Sequence, residues 1–486
     1  MNYPYFDFLC NIFPFIQYPT VQKVYLCYNF NNLYLLGGCL IEKEKQQQYG
    51  LMTAITMIVG ICIGSGIFFK ADDILRYTGG NVALGVIVLC LGAFSIIFGS
   101  LSLSELATRT NRNGGVVAYY EEFVSTNVAS AFGWFQTFLY MPSIMVVVTW
   151  VAAIYTFMMI GVKSTLEQEI MLGIIYLVII FGMNYFSTKI AALFQGATTF
   201  VKLIPLLMIA ILGIFWRPEL EAVTSLPVKS VGNLGWLAAL APVAFSYDGW
   251  TITTTISHEV KNSKRNMPLA LLIGPLIVLV VYVLYFVGIT NILGSDYILS
   301  VGDQAIYQIG QALLGKVGGV LITLFVVISV VGVINGLTMG SIRMPQALAS
   351  KKMIPSSDKI LKINEQKKLS ISSFFVAFIC AMFWMIVHYV TQKLNILGGS
   401  DVSEIAIVFG YICYPILYIQ VIKLYLKKEI KSVYKGLIFP ILGLVGSLMI
   451  VLGAIVMNPV YVPIFIFICF LFCLAGYIYN KNKTVK

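Results

Sequence analysis

Residues 61–69 read Ile-Cys-Ile-Gly-Ser-Gly-Ile-Phe-Phe, near the middle of an apolar segment, Leu51 to Ile74, that is long enough to cross a bilayer as a helix. Gly64 and Gly66 are poor helix formers, so the pattern predicts a break in this helix. Such a break persists only where it faces protein or a wet cavity, because lipid cannot satisfy the freed backbone groups. The N–H groups of residues 65–67 would begin a new half-helix, whose positive end favours a small carboxylate.

The same two glycines have other interpretations. Small residues are common where membrane helices pack closely, so the glycines could serve helix packing alone. A dinucleotide-binding fingerprint would need a third glycine where Phe69 stands, and no strand-turn-helix pattern surrounds the motif. The sequence therefore predicts no nucleotide cofactor.

The composition indicates a membrane protein. Of the 486 residues, 59% are hydrophobic and 11% are charged, and the mean hydropathy is +0.88, which no soluble domain of this length shows. Apolar runs of about 20 residues recur, which predicts an all-α integral membrane protein with about twelve transmembrane helices. The predicted spans are Leu51 to Ile74, Val82 to Ala107, Ala129 to Ile160, Ile170 to Phe186, Ala191 to Phe215, Leu234 to Ile256, Ala270 to Ile292, Val317 to Met339, Ile371 to Val390, Val402 to Leu424, Gly436 to Met457 and Val460 to Tyr479.

The net charge of +11 is distributed as a topology signal. If the first span starts in the cytoplasm, most Lys and Arg residues fall in cytoplasmic segments, as the positive-inside rule requires. The outer side keeps Lys70, Arg76, Lys163, Arg217, Lys229, Lys316 and Lys393. We therefore expect both termini in the cytoplasm. We expect no nucleic-acid partner, because a phosphate-binding role would need a soluble basic domain.

Cysteine and histidine give no sign of a metal site. The nine cysteines are scattered, without paired metal-ligand spacing or a disulfide framework in outer loops, and are interpreted as small apolar residues. His258 and His388 are too far apart for a ligand cluster, and a helix-end or packing role is expected for each. The sequence therefore predicts no metal.

The N-terminal extension, residues 1–49, is unusual. Its first 41 residues are rich in Tyr, Phe and Asn and lack the basic start and clean apolar core of a signal peptide. Gly37-Gly38 could correspond to a ribosome-binding sequence and Leu40 to a UUG start codon. One hypothesis is that residues 1–39 are upstream sequence and that a short charged leader from Leu40 precedes the first span. The alternative is a translated extension in the cytoplasm.

A lone cation lies inside an apolar span. Lys202 has about ten residues of apolar helix on either side, so its side chain cannot easily reach the interface. An ammonium inside the membrane costs several kcal/mol unless it is paired or hydrated, which favours a functional role over a purely structural one.

The sixth span repeats the interruption of the first. Residues 242–250 read Pro-Val-Ala-Phe-Ser-Tyr-Asp-Gly-Trp and place an acid and a glycine where hydrocarbon should be crossed. Two interrupted helices at corresponding places in two halves are typical of the midplane substrate site of a secondary transporter built from inverted repeats. Asp248 could carry a proton there, or it could cap freed N–H groups or face an aqueous vestibule.

Two further groups of polar residues are expected to act locally. Residues 398–403 read Gly-Gly-Ser-Asp-Val-Ser and should form the outer cap of the tenth span. Asn335 and Thr338 are three apart in the eighth span and share one helix face.

Several motifs lie in order along the chain. They are Gly-Ser-Gly-Ile-Phe at 64–68, Ser-Glu-Leu-Ala-Thr-Arg at 104–109 with Gly114-Gly115, Lys202 with Pro205, Phe-Ser-Tyr-Asp-Gly-Trp at 245–250, Glu259-Val-Lys-Asn, and Asn335-Gly336 with Ser341-Ile-Arg343. Together they resemble the amino acid–polyamine–organocation transporters, and within them the L-type amino acid transporters and bacterial serine/threonine exchangers. The resemblance runs from about Gly50 to the C-terminus.

The resemblance implies a LeuT-like fold: two inverted five-helix repeats, with helices one and six broken, followed by two extra helices. In this chain the repeats would be residues 50–216 and 217–425. Residues 426–486 would hold helices eleven and twelve and a short cytoplasmic tail.

The resemblance also implies a substrate site between the two breaks. The carboxylate of an amino acid would meet the N–H groups of Ser65, Gly66 and Ile67. Its ammonium would meet the carbonyls of Cys62, Phe245, Ser246 and Asp248. Phe245 would be an aromatic lid over the substrate, and Lys202 would replace the ion of sodium-coupled relatives by bridging spans one, five and eight.

Two features depart from the family pattern. Ser246 stands where a small Ala is usual, so the resemblance leaves the side-chain preference open. Animal L-type transporters join a single-span heavy chain through an outer-loop cysteine, and the corresponding loop here, Gly161 to Glu169, has none. We therefore expect no disulfide-linked partner.

The two interrupted spans predict a secondary active transporter, and the resemblance implies that it exchanges neutral L-amino acids, such as serine or threonine, across the plasma membrane by alternating access. The main alternative is proton symport with Lys202 as the coupling site. A membrane sensor that binds amino acid without moving it is a candidate from another class. An enzyme is not expected, because neither a zinc-ligand motif nor a nucleophile with its base is visible.

Overall fold

The computed structural model describes residues 50–64, 66–110, 115–215, 234–251, 260–363, 370–397 and 400–484. Several predictions lie outside these residues: those on Ser65, on residues 1–49 with the Leu40 start, on His258 and the Glu259 motif, and on the end of the sixth span.

The described residues fold into helices joined by short turns. In chain order the α-helices are α1 Leu51–Cys62, α2 Gly66–Tyr77, α3 Val82–Ala107, α4 Val116–Phe123, α5 Thr126–Phe135, α6 Met141–Met159, α7 Leu166–Phe186, α8 Thr188–Val201, α9 Leu203–Phe215, α10 Leu240–Ser246, α11 Ser263–Leu293, α12 Ser295–Val301, α13 Ala305–Ser350, α14 Ser357–Ile360, α15 Ile371–Lys393, α16 Val402–Leu426, α17 Phe439–Met457 and α18 Tyr461–Thr484. A π-helical segment, Gln136–Tyr140, joins α5 to α6, and a second, Tyr434–Ile438, leads into α17. A 3-10 turn, Gly235–Ala239, leads into α10.

The membrane fold predicted from composition is confirmed. Within the described residues, ten helical segments are long and apolar enough to cross a membrane, and α1 with α2, bent by 56°, would make an eleventh. The sixth predicted span is described only as the short apolar stretch Gly235–Ser246. The eighth predicted span is part of a longer helix, because α13 continues beyond the apolar run at both ends. Helix α13 is kinked at Leu314 and Gly315. The inverted-repeat organisation and the domain boundaries stay predictions.

Small residues let the helices pack closely. A Cβ added to Gly213 of α9 would lie 2.2 Å from the Cα of Gly288 in α11, so these backbones are in direct contact. Gly446 of α17 likewise lies against Ser95 of α3, where a Cβ would come within 2.7 Å of the Ser95 Cα. These contacts bring the backbones of α9 and α11, and of α17 and α3, into direct contact.

The predicted cap of the tenth span is confirmed at Asp401, while Gly398 and Gly399 lie outside the described residues. The Asp401 carboxylate accepts the N–H groups of Ser403 (2.9 Å) and Glu404 (3.1 Å) at the first turn of α16. An acid here satisfies donors that have no intrahelical acceptor and lies at the positive end of the helix. Asp401 is thereby held at the start of α16, where it also meets a cation of α2.

Candidate functional site

The predicted break in the first span is confirmed. Helix α1 ends at Cys62, Ile63 is extended (φ −72°, ψ 102°), and α2 starts at Gly66 with its axis turned by 56°. Cys62, Ile63 and Ile67 are all buried, so the interruption faces protein and not lipid.

A second break follows α10, as the sequence predicts. The helix ends at Ser246, and Tyr247 to Gly249 form a turn. Gly249 has φ +95°, a conformation that L side chains rarely adopt, which explains the glycine at this position. The polar residues of the turn are therefore at the end of a half-helix instead of in the middle of a continuous one.

The two breaks touch each other on both sides. A Cβ added to Gly66 would lie 2.5 Å from the Cα of Ser246, and one added to Gly249 would lie 2.7 Å from a methyl carbon of Ile61. Each glycine thus lets one chain break approach the other more closely than any side chain would allow. The contact brings together five of the predicted substrate-binding residues: Cys62, Gly66, Ile67, Phe245 and Ser246.

One hydroxyl lies between the two half-helix ends. Tyr282 of α11 is fully buried, and its hydroxyl is 2.9 Å from the Cys62 carbonyl oxygen and 2.8 Å from that of Ser246. The Phe245 carbonyl instead accepts the N–H of Asp248 at 3.1 Å. The sequence analysis missed Tyr282, because nothing local distinguishes it from the other tyrosines of the chain.

The side chains of Phe245 and Ser246 have distinct surroundings. The Phe245 ring is 6% exposed and lies beside Gly66, 3.3 Å from where a Cβ would be. The Ser246 hydroxyl donates to the carbonyl of Pro242 in the preceding turn (3.0 Å). Where the family usually has Ala, Ser246 adds a hydroxyl, and the bond to Pro242 already uses the single proton of that hydroxyl.

A buried ion cluster lies one turn beyond the first break. The Lys70 ammonium is 2.7 Å from a carboxylate oxygen of Glu404, 2.9 Å from one of Asp401 and 3.6 Å from one of Asp73. Lys70 is 2% exposed, and its nitrogen lies 5.4 Å from the centre of the Phe245 ring. The sequence analysis counted Lys70 as an outer charge only. The cluster joins α2 to α16 directly above the predicted lid.

The intramembrane cation contacts the first broken helix. Lys202 lies between α8 and α9, is 4% exposed, and donates to the carbonyl of Gly60 in α1. The fifth and eighth spans meet where a Cβ on Gly332 would lie 2.4 Å from the Thr198 hydroxyl oxygen. The structure therefore brings Lys202 to span one, as expected, within a region where spans five and eight pack together.

Asp248 is hydrogen-bonded to a neighbouring helix. Its two carboxylate oxygens lie 2.7 Å and 2.6 Å from the hydroxyl of Tyr140, the last residue of the π-helical segment between α5 and α6. Among the described residues, no three His, Cys, Asp or Glu side chains lie together as a metal site requires. The arrangement is one of backbone dipoles, a few polar side chains and buried ions.

Asn335 links three helices behind the site. Its amide nitrogen donates to the carbonyl of Ala191 (2.9 Å) and to the Gln195 side chain (3.0 Å), both in α8, while its oxygen accepts from Asn184 of α7 (2.9 Å). Thr338, on the same face of α13, donates to the Ile334 carbonyl (2.8 Å). These bonds fix α13 against the helix that leads to Lys202.

Comparison with known proteins identifies relatives over nearly the whole described chain. A family profile described as amino acid permease matches residues 49–486. A serine/threonine exchanger of Bacillus subtilis is 27% identical over 410 residues, which cover 84% of this chain and 90% of the relative. A b(0,+)-type amino acid transporter of Mus musculus is 24% identical over 89% of this chain and 87% of the relative. The large neutral amino acids transporter small subunit 2 of Homo sapiens is 26% identical over 66% of this chain and 60% of the relative.

Proposed function

Because this chain belongs to the amino acid permease family, we propose that it exchanges neutral L-amino acids across the plasma membrane by alternating access. The observation that carries the proposal is the contact of two broken helices at Gly66 and Ser246, which are buried inside a bundle of apolar helices. This geometry offers a zwitterion backbone groups of both signs at one place.

The carboxylate of the substrate binds at the start of α2. The first N–H groups of an α-helix have no intrahelical acceptor, so those of Gly66 and Ile67 remain available to an anion. Ser65, which lies outside the described residues, is proposed from the sequence to contribute a third N–H. No side chain at position 66 stands between the carboxylate and the backbone. This accounts for a glycine at a position where the chain also packs against Ser246.

The ammonium of the substrate binds the carbonyls at the ends of α1 and α10. Cys62 and Ser246 contribute carbonyls that already converge within 3 Å of one hydroxyl, Tyr282. Phe245 and Asp248 would supply the remaining carbonyls. The negative ends of two half-helices favour a cation here, just as the positive end of α2 favours the carboxylate.

Phe245 is the lid over the substrate, and the Lys70 cluster closes the outer side above it. The ion pairs of Lys70 with Asp401 and Glu404 tie α2 to α16, so opening toward the outside would separate these charges. Substrate would favour turnover only through its different affinity for the outward-open and inward-open states.

Exchange is favoured over net uptake by the role proposed for Lys202. A permanent Lys202 ammonium, bound to the Gly60 carbonyl, would replace a coupling ion. Because this charge is fixed to the protein, no ion would be transported together with the substrate. One observation favours the second candidate, proton symport: among the described residues no carboxylate pairs with Lys202. A buried amine whose acceptor is a neutral carbonyl can lose its proton and keep the hydrogen bond.

The remaining parts of the proposal concern partners and topology. Both termini are proposed to face the cytoplasm, on the basis of the charge asymmetry. The segment between α6 and α7 contains no cysteine, so a heavy chain, if one associates, would not be attached by a disulfide at that loop. The only proposed ligand is the amino acid itself.

The test is uptake by the purified protein in liposomes. Labelled serine, threonine, leucine and alanine are each offered to vesicles with and without unlabelled amino acid inside, and with and without an imposed pH gradient. Exchange predicts uptake that needs internal amino acid and ignores the gradient. Uptake into empty vesicles that follows the gradient would establish proton symport instead, and binding without any flux would indicate a sensor.

A further inference from the structure

We propose that the link between the tenth and eleventh spans is a docking surface for an anionic phospholipid such as phosphatidylglycerol. The link, called the lysine loop below, comprises residues 423–435, from the last turn of α16 to the π-helical segment before α17. This inference goes beyond the proposed function, because it does not depend on which amino acid is exchanged.

The lysine loop concentrates positive charge that is largely unpaired. It contains five lysines and one acid, Glu429, which gives a net charge of +4. Lys435 pairs with Glu105 at the end of α3 (3.3 Å). The other four lysines are exposed, and within the described part of the chain no carboxylate forms an ion pair with them: Lys423, Lys427, Lys428 and Lys431.

Exposed apolar side chains lie among these lysines. Leu426, Val433 and Tyr434 are 69%, 47% and 66% exposed. Only residues 427–433 separate the end of α16 from the π-helical segment, so the lysine loop stays close to the ends of two membrane spans. Tyrosine is common at the membrane interface, and lysine stems can lie along apolar surface while the ammonium stays at the level of the headgroups.

The backbone at Lys428 indicates that a lysine is needed at this position. The Lys428 N–H donates to the Tyr425 carbonyl (2.8 Å), and the Glu429 N–H donates to the Leu424 carbonyl (3.0 Å), which together end α16 in a Schellman motif. Lys428 has φ +64°, a conformation that glycine usually supplies. The dipole of α16 favours a cation in its last turn, such as Lys423, but it does not require one where glycine fits better. Retained strain of this kind points to a role for the side chain.

The chemistry of the lysine loop fits a phospholipid better than a free anion. Each ammonium offers three donors to a phosphate, and lysine clusters beside a membrane span attract anionic lipids. A free phosphate would use the charges only, whereas a lipid would also cover the exposed apolar side chains with its acyl region. The Lys435–Glu105 pair fixes the base of the loop to α3, so the surface is held on the helix bundle.

The experiment titrates lipid into the lipid-depleted protein in detergent and counts bound lipid by native mass spectrometry. Phosphatidylglycerol is compared with phosphatidylcholine of the same acyl chains, and the wild-type protein should prefer phosphatidylglycerol. Lys427→Gln with Lys428→Gln should weaken phosphatidylglycerol binding by about tenfold or more and leave phosphatidylcholine unchanged, since each lysine near an anionic surface strengthens attraction several-fold. Lys427→Arg with Lys428→Arg keeps both charges and should retain the preference.

The matched control is Lys359→Gln with Lys362→Gln, which removes two exposed lysines from a link where Asp358 stands beside them. This variant should bind phosphatidylglycerol like the wild-type protein. Soluble glycerol 3-phosphate carries the same phosphate without acyl chains and should not displace the lipid. An equal loss in the control, unchanged binding in the Lys427 and Lys428 variant, or displacement by glycerol 3-phosphate would each overturn the inference.

A further variant separates lipid binding from stability. Lys428→Gly should raise the thermal unfolding temperature, because glycine adopts this φ without strain, and it should still weaken phosphatidylglycerol binding. Unchanged lipid binding in this variant would contradict the role assigned to the Lys428 side chain.

Discussion

Replacement of Gly66 by Ala is the most direct test of the contact between the two broken helices. The added Cβ would lie 2.5 Å from the Cα of Ser246 and 3.2 Å from its backbone nitrogen. Carbon atoms in contact are normally about 3.5–4.0 Å apart, so α2 and the end of α10 would have to separate by about 1 Å. The obstacle is backbone, which cannot rotate away as a flexible side chain would.

The separation should affect binding more than folding. Overpacking of this kind costs about 1–3 kcal/mol, partly offset because Ala is a better helix former than Gly by up to about 1 kcal/mol. The N–H groups of α2 and the carbonyls of Cys62 and Ser246 would no longer have the spacing of one zwitterion. We expect serine affinity to fall by about tenfold or more, the scale of one lost charge-assisted hydrogen bond.

The assay is equilibrium binding of labelled serine to purified, monodisperse protein, with thermal unfolding measured on the same samples. Gly182→Ala in α7 is the control, because a Cβ there would meet no heavy atom within 4 Å. Gly66→Leu should abolish binding while the protein still inserts in the membrane. Wild-type affinity in a folded Gly66→Ala protein would refute the reasoning that these helices form the site by close contact.

Other variants test the buried ions and the links behind the site. Lys70→Met leaves Asp401 and Glu404 buried without their cation and should destabilise the protein by about 3–5 kcal/mol, measured by thermal unfolding. Adding Asp401→Asn should recover part of this loss. An unchanged melting temperature in Lys70→Met would contradict the proposed stabilisation. Lys202→Met should abolish serine exchange in liposomes while Lys202→Arg retains part of it, and wild-type exchange by the Met variant would exclude a coupling role. Asn335→Leu removes the bonds that tie α13 to α7 and α8 and should cost about 1–3 kcal/mol of unfolding free energy, whereas an unaltered unfolding curve would show that these bonds contribute nothing to stability.

Both helix breaks could be predicted from the sequence because their signals are local. Gly64 and Gly66 lie in a run that is otherwise apolar, and Asp248 with Gly249 lies in another. A residue that opposes helix formation, or an acid in a hydrocarbon-spanning segment, is recognisable without knowledge of its neighbours. Lys202 was recognised for the same reason.

The partners of these residues could not be predicted. Lys70 stands 331 positions before Asp401, and Tyr282 is 220 positions after Cys62 and one of 28 tyrosines. Because Lys70 lies near the end of an apolar span, the sequence alone indicates an ordinary charge at the membrane interface. Only the packing of α2 on α16 shows that it is buried among carboxylates, and only the packing of α11 shows which tyrosine reaches the half-helix ends.

The ion pairs around Lys70 carry an excess of negative charge. The ion pairs on this side join four carboxylates, those of Asp72, Asp73, Asp401 and Glu404, to two cations, Lys70 and Arg76. With all groups ionised the net charge of these six side chains is −2, and Lys70 lies in the same helix, α2, whose start is the proposed carboxylate site. A zwitterion can pass this field with little change in energy, whereas an acidic amino acid such as glutamate meets repulsion before it reaches α2. On the proposed topology, we therefore expect this charge to disfavour the entry of anionic amino acids, in addition to the selectivity of the substrate site itself.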